Sequence, residues 1–192
     1  MQLNASVMDD LAACLEYPIP ATKQSARSAA KALASASDGQ LSQALISLAD
    51  EIENARVGEP EERYTLLFDL KPVCTLNLGH HIYGDTYQRG ALLAGLASDL
   101  NAAGIDHGHD LPDFLPTLLR LLGWLDDEED RRLLVYAVME PALKSINAAL
   151  KDSSGPWPEI LRLLPALITS LVPRGLEEIA VPKRRLEVLQ NA

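Results

Sequence analysis

Basic residues and aromatics are both scarce in this chain. Lys and Arg number 17 against 27 Asp and Glu in 192 residues, giving a formal net charge of −10. Binding to nucleic acid or to an anionic bilayer surface works by pairing Lys and Arg with phosphates, so an overall polyanion suits neither. A basic peptide or protein suits it better. Cysteine is nearly absent: Cys14 and Cys74 stand far apart without CxxC spacing, and packed, reduced thiols are expected. No apolar run approaches the roughly 18 residues of a membrane span. Residues 1–10 carry neither the basic start nor the apolar stretch of a secretory signal. The expected compartment is the cytoplasm.

Catalytic signatures are missing as well. There is no Gly-rich phosphate loop, no GxSxG elbow and no HExxH. The acidic run Asp126 to Asp130 lacks the pattern of a calcium loop. His80 and His81 are adjacent, which points their rings apart on regular structure, and His107 and His109 lie two apart in a polar loop. Neither pair resembles the spaced ligand sets of metal sites. The sequence therefore predicts no enzyme, no metal and no cofactor. A metal-dependent hydrolase using these histidines is one rival reading, and a permanent structural subunit is another.

What is abundant is Leu and Ala, while Val, Ile and Thr are sparse, and every hydrophobic period is helical. The expected fold is all-α: one helical domain over residues 1–172, of about eight or nine helices, then a loosely ordered tail over 173–192 containing Lys183-Arg184-Arg185. The periods predict helices at 6–16, 22–35, 41–52 and 61–70, with Gly58 and Pro60 interrupting the chain before the last of these. Lys71 to Gly84, with Pro72, Gly79 and two histidines, reads as a long connection. Asp85 reads as the N-cap of a helix ending at Gly104, with Gln88 completing a capping box. A helix capped near Asp113 accepts Pro116 in its first turn and runs to Leu125. The acidic cluster opens the next helix, which Pro141 should kink, and Ser153 to Pro158 reads as a turn before a last helix at 159–171.

Two connections interrupt this pattern, one through His81-Ile82-Tyr83-Gly84-Asp85 and one from Leu111 to Pro116. They are either stiff inter-helix loops or the borders of a groove. Tyr64, Leu67 and Phe68 are then either ordinary core or the lining of that groove, beside carboxylates that receive a basic peptide.

The order Tyr64-x-x-Leu67-Phe68-Asp69, His81-Ile82-Tyr83-Gly84-Asp85-Thr86-x-x-Arg89-Gly90 and Leu111-Pro112-Asp113-x-Leu115-Pro116 resembles the NarJ branch of the molybdoenzyme chaperones. That branch is related to the TorD-like redox-enzyme maturation proteins. Leu15-Glu16-Tyr17-Pro18 resembles the family's first-helix ending. Tyr83 stands where the family commonly has a second His, His80 where it has an acid, and Gly79 where a bulky apolar residue is usual.

The resemblance implies a non-catalytic helical chaperone for nitrate reductase or for another enzyme of the DMSO reductase superfamily. Such a chaperone binds the N-terminal segment of the catalytic subunit and assists insertion of the molybdenum cofactor before membrane docking or export. It acts as a monomer or as a homodimer. On this reading Tyr64, Leu67, Phe68, His81, Tyr83, Leu111, Phe114 and Leu115 contact the client, while Asp85 and Asp113 receive its positive charge. Arg89 braces the loop, and Gly84, Gly90, Pro112 and Pro116 set its backbone.

Overall fold

A computed structural model describes residues 5–34, 39–70 and 74–175. The helices among them are α1 (Ala5–Leu15), α2 (Thr22–Leu33), α3 (Gln40–Asn54), α4 (Glu59–Phe68), α5 (Leu78–Tyr83), α6 (Tyr87–Ala103), α7 (Leu115–Trp124), α8 (Glu128–Leu133), α9 (Glu140–Ala149) and α10 (Pro156–Leu171). A π-helical turn at Leu134–Met139 joins α8 to α9 as one rod. Counted so, the described residues form nine helices and no strand, the all-α architecture the composition predicts. One isolated antiparallel bridge pairs Asn77 with Phe114. Most of the expected tail, residues 176–192, lies outside the described residues.

α1 is the central rod. Leu11, Ala12, Cys14 and Leu15 have no exposed surface, because α2 packs on one side and α7 on the other. Gly123 permits the close approach of α7: a Cβ there would lie 2.9 Å from the Met8 Cβ and 3.2 Å from the Ala5 Cα. α10 lies across α3 and α9 and closes the core.

The last four carbonyls of a helix have no partner within it. Two of those in α1 are taken by distant aromatic side chains: Trp157 Nε1–H donates to Cys14 O and the Tyr64 hydroxyl donates to Leu15 O, both at 2.9 Å. Both rings are buried, and they meet edge-on with centroids 5.8 Å apart. The middle of α4 and the start of α10 are thereby pinned to the end of α1.

Three prolines are accommodated in three ways. Pro116 sits in the first turn of α7, where no N–H is needed. Pro141 follows the π turn, in which the Glu140 N–H reaches back five residues to Val135 O, so the expected disturbance of that rod is a local widening. Pro165 lies inside α10 and leaves Leu161 O without its donor. Asn147 of α9 supplies the replacement, its Nδ2 standing 3.0 Å from that oxygen.

The structure corrects several boundaries. The connection read at 71–84 contains α5. Gly58 and Pro60 open α4 rather than interrupt the chain, and Pro156 and Pro158 begin α10 rather than end a turn, since proline is well placed in a first turn. Thr86, not Asp85, occupies the N-cap of α6, and Phe114, not Asp113, that of α7. Gly104 closes α6 in the left-handed conformation (φ 66°), as the sequence predicts. The acidic cluster opens α8 as expected, and within it Asp127 is the cap, accepting from the Glu129 and Asp130 N–H groups.

Replacing Trp157 by Phe keeps most of the ring and removes only the donor, leaving Cys14 O buried without its tertiary partner. The expected loss is about 1–3 kcal/mol, measured by urea denaturation; an unchanged midpoint would show that this bond carries no net stability.

Candidate functional site

The site is organised by Asp113, whose side chain has no exposed surface. One carboxylate oxygen, Oδ2, accepts from the Gly79 N–H at 3.0 Å and from Arg89 Nε at 3.1 Å. The Asp113 carbonyl accepts from the Leu78 N–H at 2.8 Å, and the Leu115 N–H donates to Leu76 O at 2.9 Å. Asp113 thus satisfies the first free N–H groups of α5 from a distant part of the sequence. Arg89 is itself mostly buried and also holds the exposed Asp85 at 3.2 Å, four residues earlier and just ahead of the α6 N-cap.

Gly79 is small because it must be. A Cβ at that position would stand 2.7 Å from the Asp113 carboxylate and 3.0 Å from Leu92. α5 ends at Gly84, whose φ of 59° and ψ of −149° demand glycine.

His81 belongs to the same frame. Its Nε2 lies 2.7 Å from Thr75 O, which can only accept, so that nitrogen carries the proton and Nδ1 receives the Ser145 hydroxyl at 3.3 Å. Burial holds its pKa below the ordinary imidazole value. Tyr83 ends α5 half-buried.

This bracing sets one wall of a groove of about 620 Å³ between the end of α1, α4 and the segments 75–77 and 109–114. Tyr64, Phe68, Leu111 and Phe114 line it, joined by Tyr17 and Ile19. Tyr17 and Ile19 are 52% and 56% exposed and Leu111 is 43% exposed. Tyr17 and Phe68 both meet the Tyr64 ring edge-on, at centroid distances of 5.8 and 4.8 Å. On the other side of Tyr17 a second crevice of about 490 Å³ runs past Glu61, Glu62, Leu66 and Leu70.

The groove is acidic. Glu16, Asp69 and Asp110 line it, and among the described residues no Lys or Arg does. Burial and then the charge of Glu16 push the Asp110 carboxyl above the usual carboxylate range; Asp69 adds to this, and His107 and His109 oppose it. Burial and the charges of Asp69, Asp110 and Glu16 raise the Tyr64 phenol in turn. Glu16 is partly countered by Arg120 at 2.5 Å. Among the described residues no group of three or more His, Cys, Asp or Glu is placed to hold a metal ion. Nor is any helix among them long and apolar enough to cross a membrane.

The sequence-derived site residues therefore divide. Leu111 and Phe114 are at the groove surface, and Tyr64 and Phe68 form its floor, each almost wholly buried. Leu67 packs against the core, and Leu115 and Pro116 are buried. His81, Tyr83, Gly84, Asp85 and Gly90 surround α5 and the start of α6 and do not line the groove. Asp113 was expected to receive an incoming positive charge; its partner is Arg89 of the same chain, and it offers no surface. Glu16, Tyr17 and Asp69 stand inside the quoted motifs without having been singled out, and Asp110 and Ile19 carried no pattern of their own.

No family model matches the chain. Among curated proteins, 105 residues are 26% identical to the probable nitrate reductase molybdenum cofactor assembly chaperone NarW of Escherichia coli K12, covering 54% of this chain and 45% of NarW. A stretch of 98 residues is 32% identical to the nitrate reductase-like protein NarX of Mycobacterium tuberculosis, covering 50% of this chain and 15% of NarX. These relatives support the NarJ-type chaperone family. The chain spans less than half the length of each relative it matches.

Removing Arg89 leaves a buried carboxylate without its cation. Arg89→Met is expected to cost about 3–5 kcal/mol, and Gly79→Ala about 1–3 kcal/mol through the forced shift of Asp113, both read by chemical denaturation. Losses below about 0.5 kcal/mol, the size usual for ordinary surface changes, would show that the brace does not carry the fold here.

Proposed function

We propose that this protein is an assembly chaperone for a molybdenum-containing oxidoreductase of the nitrate reductase kind, non-catalytic and cytoplasmic. In this reading the groove receives a basic, amphipathic segment from the N-terminus of the catalytic subunit. It holds that segment while the molybdenum cofactor is inserted and before the subunit docks at the membrane or is exported. The observation that carries the proposal is the groove's composition: three carboxylates and, among the described residues, no Lys or Arg, set among exposed Tyr17, Ile19 and Leu111. The relationship to NarW, described as a probable nitrate reductase molybdenum cofactor assembly chaperone, supplies the client class.

The chemistry needed is that of binding alone. Fully covering an exposed Ile or Leu side chain is worth about 1.5–3 kcal/mol, which gives affinity without a deep cavity. The carboxylates select for basic partners and turn away acidic ones through like-charge repulsion. A cation between Asp69 and Asp110 also relieves their mutual repulsion, so positive charge is worth more here than beside an isolated carboxylate.

Calorimetry with a synthetic N-terminal segment of the catalytic subunit tests this. Asp69→Asn/Asp110→Asn and Leu111→Ala are each expected to weaken binding about fivefold or more; unchanged affinity in both would remove the groove from the account. The pH dependence has a fixed sign. The Asp110 carboxyl, raised by burial and by Glu16 and Asp69, attracts a cation only when ionised. Affinity should therefore rise as pH increases from about 4 towards 7 and then level off. Affinity that falls over this range would contradict the proposal.

A further inference from the structure

The chain carries a candidate occupant for its own groove. Lys183-Arg184-Arg185 is the longest run of consecutive basic residues in the sequence, and the apolar Leu186, Val188 and Leu189 follow it. Positions 173–192 hold four basic and three acidic side chains and so sum to +1, which leaves −11 on positions 1–172 out of the total of −10. A short basic run followed by apolar residues has the composition that an acidic groove with exposed Tyr17, Ile19 and Leu111 accepts.

The reach is sufficient. The chain is anchored as far as Gly175 on the α8–α9 rod: Tyr136 donates to Val172 O, Arg132 to Pro173 O, and Arg174 pairs with Glu140 at 2.6 Å. α10 separates this anchor from the groove, and its 16 residues span about 24 Å. At the far end of α10, Trp157 touches Tyr64 of the groove floor. The roughly ten residues from Gly175 to Arg185 can extend about 33 Å, enough to bring the basic run to Asp69 and Asp110.

We propose that residues 183–189 dock in the groove when no partner is present and act as an internal competitor for the basic segment of the client. The docking stands on charge and reach; the competition rests on the function proposed above. A tethered segment of this length sees an effective concentration on the order of 1 mM. With an intrinsic dissociation constant of about 0.1 mM it fills the groove in about nine molecules of ten and weakens an external ligand about tenfold.

A photoreactive amino acid placed at position 111 of the full chain tests the docking, with cross-linked peptides identified by mass spectrometry. The expected product joins position 111 to residues 183–189 within one chain, in a yield independent of protein concentration. It should be lost in the full-length variant Arg184→Glu/Arg185→Glu. No cross-link to that segment, or links only to other segments, would overturn the docking. Links between chains that grow with concentration would assign the groove to a second copy and overturn it equally.

The competition is read by calorimetry with the client's synthetic N-terminal segment, whose affinity should rise about tenfold in Arg184→Glu/Arg185→Glu. Equal affinity for both proteins would overturn the competitive role. A peptide that binds neither protein contradicts the function proposed above, and the cross-link alone then decides the docking.

Discussion

An ionised carboxylate taken fully out of water is tolerated only when its charge is matched and hydrogen-bonded. Asp113 meets that condition at one oxygen, Oδ2, through Arg89 and the Gly79 N–H, and in doing so it ties three elements together. α5 is a helix of six residues, too short to persist alone, and it is held because its first N–H groups point at Asp113. α6 is joined through Arg89. The segment that carries Asp110, Leu111 and Phe114 is fixed because Asp113 is its anchored member. The groove wall is thus a consequence of one buried ion pair.

The opposite wall follows the same logic with neutral groups. Tyr64 and Trp157 bring their rings to the end of α1 because they carry donors for its unsatisfied carbonyls. Burying those rings against each other fixes the α4 end of the groove, and Tyr17 is left edge-on to Tyr64 with half its surface in water. An aromatic residue so placed gives a partner apolar area at small conformational cost. Both walls are therefore set by internal polar bonds, and the surface between them is apolar with a negative margin.

Much of this was legible in the sequence and some was not, for identifiable reasons. The long helices were plain because Leu and Ala recur with the helical period over several turns. The Gly104 stop and the acidic start of α8 were plain because their signals are local. α5 was not, since its stabilising partner lies far downstream and its own short run contains Gly and two His. Asp113 was recognised as important and given the wrong partner: composition says that a carboxylate wants a cation, and only the fold says that Arg89 already supplies it. Tyr64 and Phe68 were found, yet Tyr17, Asp69 and Asp110 were passed over, because a groove assembled from a helix end, another helix and two loops has no sequence period to betray it. Pro60, Pro156 and Pro158 were read as parts of breaks, although in a first turn the missing N–H is no loss.

Brace and groove thus answer to different constraints. Brace residues are constrained by burial, while groove residues are constrained by whatever they bind. Hydrogen exchange on the full chain, alone and mixed with the cofactor-free catalytic subunit of the proposed client, tests the central claim most directly. The account predicts new protection concentrated at residues 15–19, 64–70 and 107–114, with the amides of α2 and α3 unchanged. Protection confined to α2 and α3, with the groove segments exchanging as in the free protein, would contradict it.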